Sequence, residues 1–169
     1  MRSHSHQQLQ QKEWVVFVDS SRRYVDFTDA VCDLLGYSRS ELLQKTIDDI
    51  SYNVDAVPKL FSDFIDSGAQ EGDYVLQSKD RKPVPIHYQA FVFPDGCKAA
   101  AWEPIHDWRQ VYLQALLELD VRKQKQKLEI ALAAIDHARR ELPPNTPASE
   151  RLRLRDALTA VQVLLREIQ

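Results

Sequence analysis

The side chains of this sequence best suited to catalysis or metal binding are its five histidines and two cysteines, and their spacing limits what they can do. Cys32 and Cys97 lie far apart, so they form neither a C-x-x-C metal or redox motif nor a disulfide scaffold, and a lone bridge between them fits poorly with a reducing compartment. Cys32 reads as a small hydrophobe on a short apolar helix and Cys97 as a half-exposed residue behind a turn glycine. His4 and His6 stand in the polar start MRSHSHQQLQQKE and are too few for a metal tract. His87 falls on the strand face opposite Val84, Ile86 and Tyr88, which makes it a surface or interface histidine. No G-x-S-x-G, glycine-rich phosphate loop, H-E-x-x-H or C-x-x-C-H occurs, so no enzymatic activity is expected and no metal site is assigned.

Composition narrows the class further. A chain of 169 residues with 44% hydrophobic and 28% charged residues, and 4 Gly against 8 Pro, has the make-up of an ordinary folded protein. Its net charge of -3 provides no basic footprint for nucleic acid. No apolar run approaches the roughly 18 residues of a membrane span, and the N-terminal segment lacks the apolar core of a secretory signal. A cytoplasmic protein with no nucleic-acid or membrane partner is the expectation.

The elements that must position these residues follow from periodicity. Residues 1–13 read as a flexible tail. Trp14 to Val18 and Tyr24 to Phe27 are β-rich runs joined by the polar turn Asp19-Ser20-Ser21-Arg22, which predicts a hairpin. Thr28 or Asp29 is placed to cap a helix bearing Val31, Leu34 and Leu35 that stops at Gly36, and Ser38 with Glu41 forms an S-x-x-E capping box for a second short helix. Val57, Leu60, Phe61, Phe64 and Ile65 recur at helical spacing within Val54 to Ile65. Three further strands are expected at Tyr74 to Gln77, Val84 to Phe93 and Lys98 to Ile105, separated by turns at Lys79-Asp80-Arg81-Lys82 and Pro94-Asp95-Gly96.

Beyond residue 106 the pattern turns wholly helical. Asp107 and Gln110 read as a capping box opening a helix that runs to about Glu141, roughly 50 Å at 1.5 Å per residue. Its seams, Trp108, Tyr112, Ala115 and Leu119, then Leu128, Leu132, Ile135 and Leu142, differ in phase across RKQKQK, residues 122–127, which is either a solvated stretch or a joint. Pro143 and Pro144 end it, Thr146 with Pro147 starts the next helix, and Leu154, Leu158, Val161, Leu165 and Ile168 form a stripe along that one. A helical hairpin over 107–169 is predicted, and two copies burying these stripes as a four-helix bundle would make a homodimer; folding back onto the chain's own sheet is the alternative.

The segment around Tyr24–Leu43, RYVDFTDAVCDLLGYSRSELL, together with the block SGAQEGDYVLQSKDRKPVPIHYQA, resembles the PAS domain family of sensor and interaction modules over roughly Trp14 to Ile105. The resemblance implies an α+β fold over 14–106: a five-stranded antiparallel sheet with short helices on one face, followed by the C-terminal helical hairpin. It also implies a pocket between sheet and helices, for which strand parity and helical stripes nominate Leu35, Phe61, Phe64, Leu76, Ile86 and Tyr88 as lining. The aromatic residues there could equally fill the core. Any ligand would be mainly apolar, with Tyr88 or a nearby backbone group fixing one polar atom. The reactive-cysteine flavin motif of some relatives is replaced here by SYNVDAVPKLF, and the helix from which haem-binding relatives offer a histidine, here Val54 to Ile65, has none; the cofactor, if any, is unknown.

The expected function is a signal-transduction module that senses a small apolar ligand or a protein partner and relays it through the C-terminal helices of a homodimer to a separate effector. The rival is a constitutive dimerisation scaffold with a filled core. A third reading takes DHARRELPP, similar to the phosphoacceptor hairpin of sensor histidine kinases, as placing a phosphoryl acceptor at His137; the residue after it, Ala138, departs from the acidic or polar residue of that motif.

Overall fold

The structure is a computed structural model that describes Leu9 and residues 11–168 of the chain; His4 and His6 lie outside them. It divides into two compact units, residues 1–82 with 86–104, and residues 105–169 with 83–85.

The first unit is built on a five-stranded antiparallel sheet, β1 (Trp14–Val18), β2 (Tyr24–Phe27), β3 (Ala69–Gln77), β4 (Pro83–Val92) and β5 (Lys98–Pro104), in the order β2-β1-β5-β4-β3. Between β2 and β3 come α1 (Asp29–Leu35), α2 (Arg39–Leu42), two 3-10 turns at Asp48–Ile50 and Val54–Ala56, and α3 (Val57–Ser67). Short helices need explicit stops, and Gly36 and Gly68, both at φ 77, end α1 and α3 in a left-handed conformation that a side chain would strain. The capping box is complete: Glu41 N–H donates to the Ser38 hydroxyl and Ser38 N–H to the Glu41 carboxylate, at 3.2 and 2.8 Å. Thr28 precedes α1 without capping it, because its hydroxyl is engaged with β1, donating to the Glu13 carbonyl at 2.6 Å and accepting from Val15 N–H.

Register fixes the two faces of the sheet. Val16 pairs with Ala100, Ala90 with Ala100 and Tyr88 with Trp102, which sets these residues on the face covered by α3. The opposite face carries Phe17, Phe91, Ala99 and Ala101, and Leu9 is buried on it with Val15 and Phe93. The end of the expected 1–13 tail is therefore anchored, by apolar burial at Leu9 and by the Lys12–Glu103 ion pair. Strand β3 begins at Ala69, five residues ahead of the expected Tyr74. Its first half, AQEGD, lacks the apolar alternation of a buried strand because β3 is an edge and turns Glu71 and Asp73 toward partners on β4.

The second unit contains three helices, α4 (Trp108–Leu117), α5 (Val121–Arg140) and α6 (Ala148–Glu167), so the single helix expected from Asp107 to about Glu141 is interrupted at 118–120. The break is held by side chains: Asp120 accepts from Arg122 and Lys123 N–H at 3.0 and 3.1 Å to start α5, while Glu118 accepts from Asp120 N–H and pairs with Lys127. Helix α5 packs against both α4 and α6. That explains why it buries two sides, Leu128, Ala131 and Ile135 on one and Ile130, Ala133 and Ala134 on the other. Helix α6 starts at Ala148 rather than behind a Thr146 cap, since the Thr146 hydroxyl donates to the Pro143 carbonyl at 2.6 Å. None of the helices among the described residues is long and apolar enough to cross a membrane.

Candidate functional site

Between α3 and the sheet of the first unit lies a cavity of about 110 Å³. Helix α3 supplies Val57, Leu60, Phe61 and Phe64; β1 and β2 supply Val16, Val18 and Tyr24; β3 supplies Gln70, Tyr74 and Leu76; β4 and β5 supply Ile86, Tyr88, Ala90, Ala100 and Trp102; and Ile47 closes one side. The strand contributions alternate in sequence, as residues sharing one face must. Five of the six residues nominated from sequence, Phe61, Phe64, Leu76, Ile86 and Tyr88, lie on this wall. Leu35 does not: α1 packs on β1, and Leu35 is fully buried with its carbonyl accepting from Lys79 N–H at 2.8 Å.

Three tyrosines and Gln70 bring polar atoms to a mainly hydrocarbon surface, and Tyr74, Tyr88 and Gln70 are engaged with one another or with the backbone. Tyr88 donates its hydroxyl to the Gln70 side-chain carbonyl at 3.0 Å, and the Gln70 amide donates on to the Leu60 carbonyl at 3.3 Å. Burial pushes the Tyr88 phenol up to about 12. Tyr74 stands edge-on to Tyr88, ring centroids 6.4 Å apart, and donates to the Asn53 carbonyl at 3.3 Å. Tyr24 is 2% exposed and lines the cavity between α3 and the sheet. Burial raises its pKa well above the ordinary phenol value, so it is a neutral hydrogen-bonding group. Tyr24 thus stands on the wall beside Tyr74 and Tyr88, a position that sequence reasoning missed.

Charge at the rim is compensated. Arg22 grips Asp48 through two bonds of 2.8 and 3.1 Å, which holds the Asp48 carboxyl below its usual range, and the Arg22 guanidinium lies 5.9 Å from the centroid of the Phe61 ring. With that cation matched, the wall favours a neutral molecule. Neither thiol is activated, since burial raises the pKa of both Cys32 and Cys97.

A sequence model described as a PAS domain matches residues 12–102, more than half of the chain. The chain belongs to the PAS domain family. Solved structures agree on the fold. A domain of a sensory box sensor histidine kinase/response regulator from Geobacter sulfurreducens is 20% identical with a TM-score of 0.50, over 59% of this chain and 92% of that one. A PAS domain from a two-component sensor histidine kinase is 15% identical with a TM-score of 0.51, over 60% and 93%. The PAS domain of a Desulfitobacterium hafniense protein is 16% identical with a TM-score of 0.51, over 56% and 93%. No curated protein matches the chain. PAS domains are modules of sensor and signalling proteins, and the matched segment holds the whole cavity wall while ending before α4. His137 lies outside it, half-buried on α5.

Proposed function

We propose that this PAS domain is a non-enzymatic sensor of a small, neutral, mainly apolar molecule carrying one hydroxyl or carbonyl group. The observation that carries this reading is the mainly apolar cavity of about 110 Å³ with the phenols of Tyr24, Tyr74 and Tyr88 on its wall. The volume sets the size of the ligand: an apolar cavity of about 150 Å³ holds benzene, so this one suits about half a dozen heavy atoms and is far too small for a flavin or a haem as it stands. A ligand oxygen bonded to one of these phenols gains a hydrogen bond worth roughly 1 kcal/mol.

The reading extends to a relay through the C-terminal helices in a homodimer. The stripes that first suggested such a dimer are largely spent within the chain, because α5 packs against α4 and α6. Besides Leu152 and Val163 on α6, the exposed group open to a second copy is Leu113, Leu116, Leu117, Leu119 and Val121 at the α4–α5 elbow, where Leu119 is 95% exposed.

The test of the ligand reading is thermal denaturation in the presence of four- to six-carbon alcohols and ketones, their hydrocarbon counterparts and short carboxylates. Ligands that bind only the native state raise Tm with concentration. The alcohols and ketones are expected to do so more than the hydrocarbons, and the carboxylates not at all. No shift with any of them leaves the scaffold reading standing.

A further inference from the structure

We infer that His87 is a proton-dependent clamp holding edge strand β3 to β4 on the sheet face opposite the cavity. Its Nδ1 lies 2.7 Å from Asp73 Oδ1 and its Nε2 2.9 Å from Glu71 Oε1, both acceptors coming from β3. An ionised carboxylate only accepts hydrogen bonds, whereas a neutral imidazole has one donor and one acceptor nitrogen. Both contacts are hydrogen bonds only when both ring nitrogens carry protons. Deprotonation puts a lone pair against one carboxylate, and that contact opens.

The surroundings favour the charged form. Glu71 also accepts from the Gln89 amide at 3.3 Å, and across the ladder His87 pairs in register with Glu103, whose carboxylate is held by Lys12. The charged groups facing the imidazole are thus Glu71 and Asp73 from β3 and Glu103 from β5, with Lys12 behind it. Although burial works against the charge, these hydrogen bonds and carboxylates leave the His87 pKa above its ordinary 6.5, and His87 in turn lowers that of Glu71. The sign follows: with the folded pKa raised, the clamp is fully engaged below about 6.5 and is lost as pH rises through the folded value. Since Gln70, Tyr74 and Leu76 stand on the other face of β3 as cavity wall, and Tyr88 beside His87 bonds Gln70, proton uptake stiffens that wall. The clamp itself does not depend on the ligand reading.

The experiment is NMR titration of the histidine ring protons of the whole chain, with His87→Asn to assign the His87 signals, alongside hydrogen exchange of the β3 amides corrected for intrinsic rate. His87 is expected to titrate above 6.5 and lower in Glu71→Gln and Asp73→Asn. The opening equilibrium of β3 is expected to grow roughly 3- to 5-fold as pH rises through that value, in keeping with a half-exposed ion pair, and to be flat across the same range in His87→Asn. A His87 pKa at or below 6.5, or β3 protection unchanged across its titration, overturns the inference. Either result stands whether or not the cavity takes a ligand.

Discussion

Tyr24 concentrates the residue-scale argument. It lines the cavity as a neutral phenol, so Tyr24→Phe is expected to change stability by no more than about 1 kcal/mol, read by urea denaturation. The same change is expected to weaken binding of a cavity alcohol or ketone about 5-fold, because the ligand oxygen loses a hydrogen bond. A destabilised Tyr24→Phe with undiminished binding would show that the hydroxyl serves the fold rather than the ligand. Parity made Leu76, Ile86 and Tyr88 legible, since alternate residues of a strand must share a face. It did not make Tyr24 legible, because a four-residue strand is too short to show which of its faces is covered. Leu35 failed for the complementary reason: a helical stripe reveals that a residue is buried, not which neighbour buries it.

At the scale of elements, local chemistry was legible where side chain and backbone agree. The Ser38–Glu41 box appears in both, and Ser38→Ala is expected to cost about 1 kcal/mol with the cavity intact, measured by chemical denaturation. The interruption at 118–120 was not legible, since ELD carries neither Gly nor Pro and the leucine spacing runs up to it; the available signals were the shift of phase beyond it and an Asp two residues before a basic pair. That elbow has a consequence for association. If two copies meet there, Leu116→Asp with Leu117→Asp is expected to yield a monomer in sedimentation experiments while the helices stay folded, since both side chains are exposed at 41% and 69%. Added salt is expected to strengthen the wild-type dimer by screening the neighbouring Arg122, Lys123 and Lys125. A dimer indifferent to both substitutions would place the interface elsewhere.

For the whole molecule, the order β2-β1-β5-β4-β3 brings the first and last strands of the sheet sequence together at its centre, leaving α3 over one face and a cavity beneath it. That architecture was legible because the short capped helices and the two-residue alternation of β4 recur in PAS domains. Whether the interior was filled or hollow was not, since it depends on how Phe61, Phe64, Tyr74 and Tyr88 pack against one another, which periodicity does not record. The central claim is that this space is a binding site, and the most direct measurement is an amide NMR titration of the wild-type chain and Ala100→Leu with a five-carbon ketone. Ala100 lies on the wall, and leucine there adds three carbons directed at the cavity. The account predicts saturable shifts confined to the wall residues in the wild type and none in Ala100→Leu. Shifts that fail to saturate, or that persist in Ala100→Leu, would contradict it.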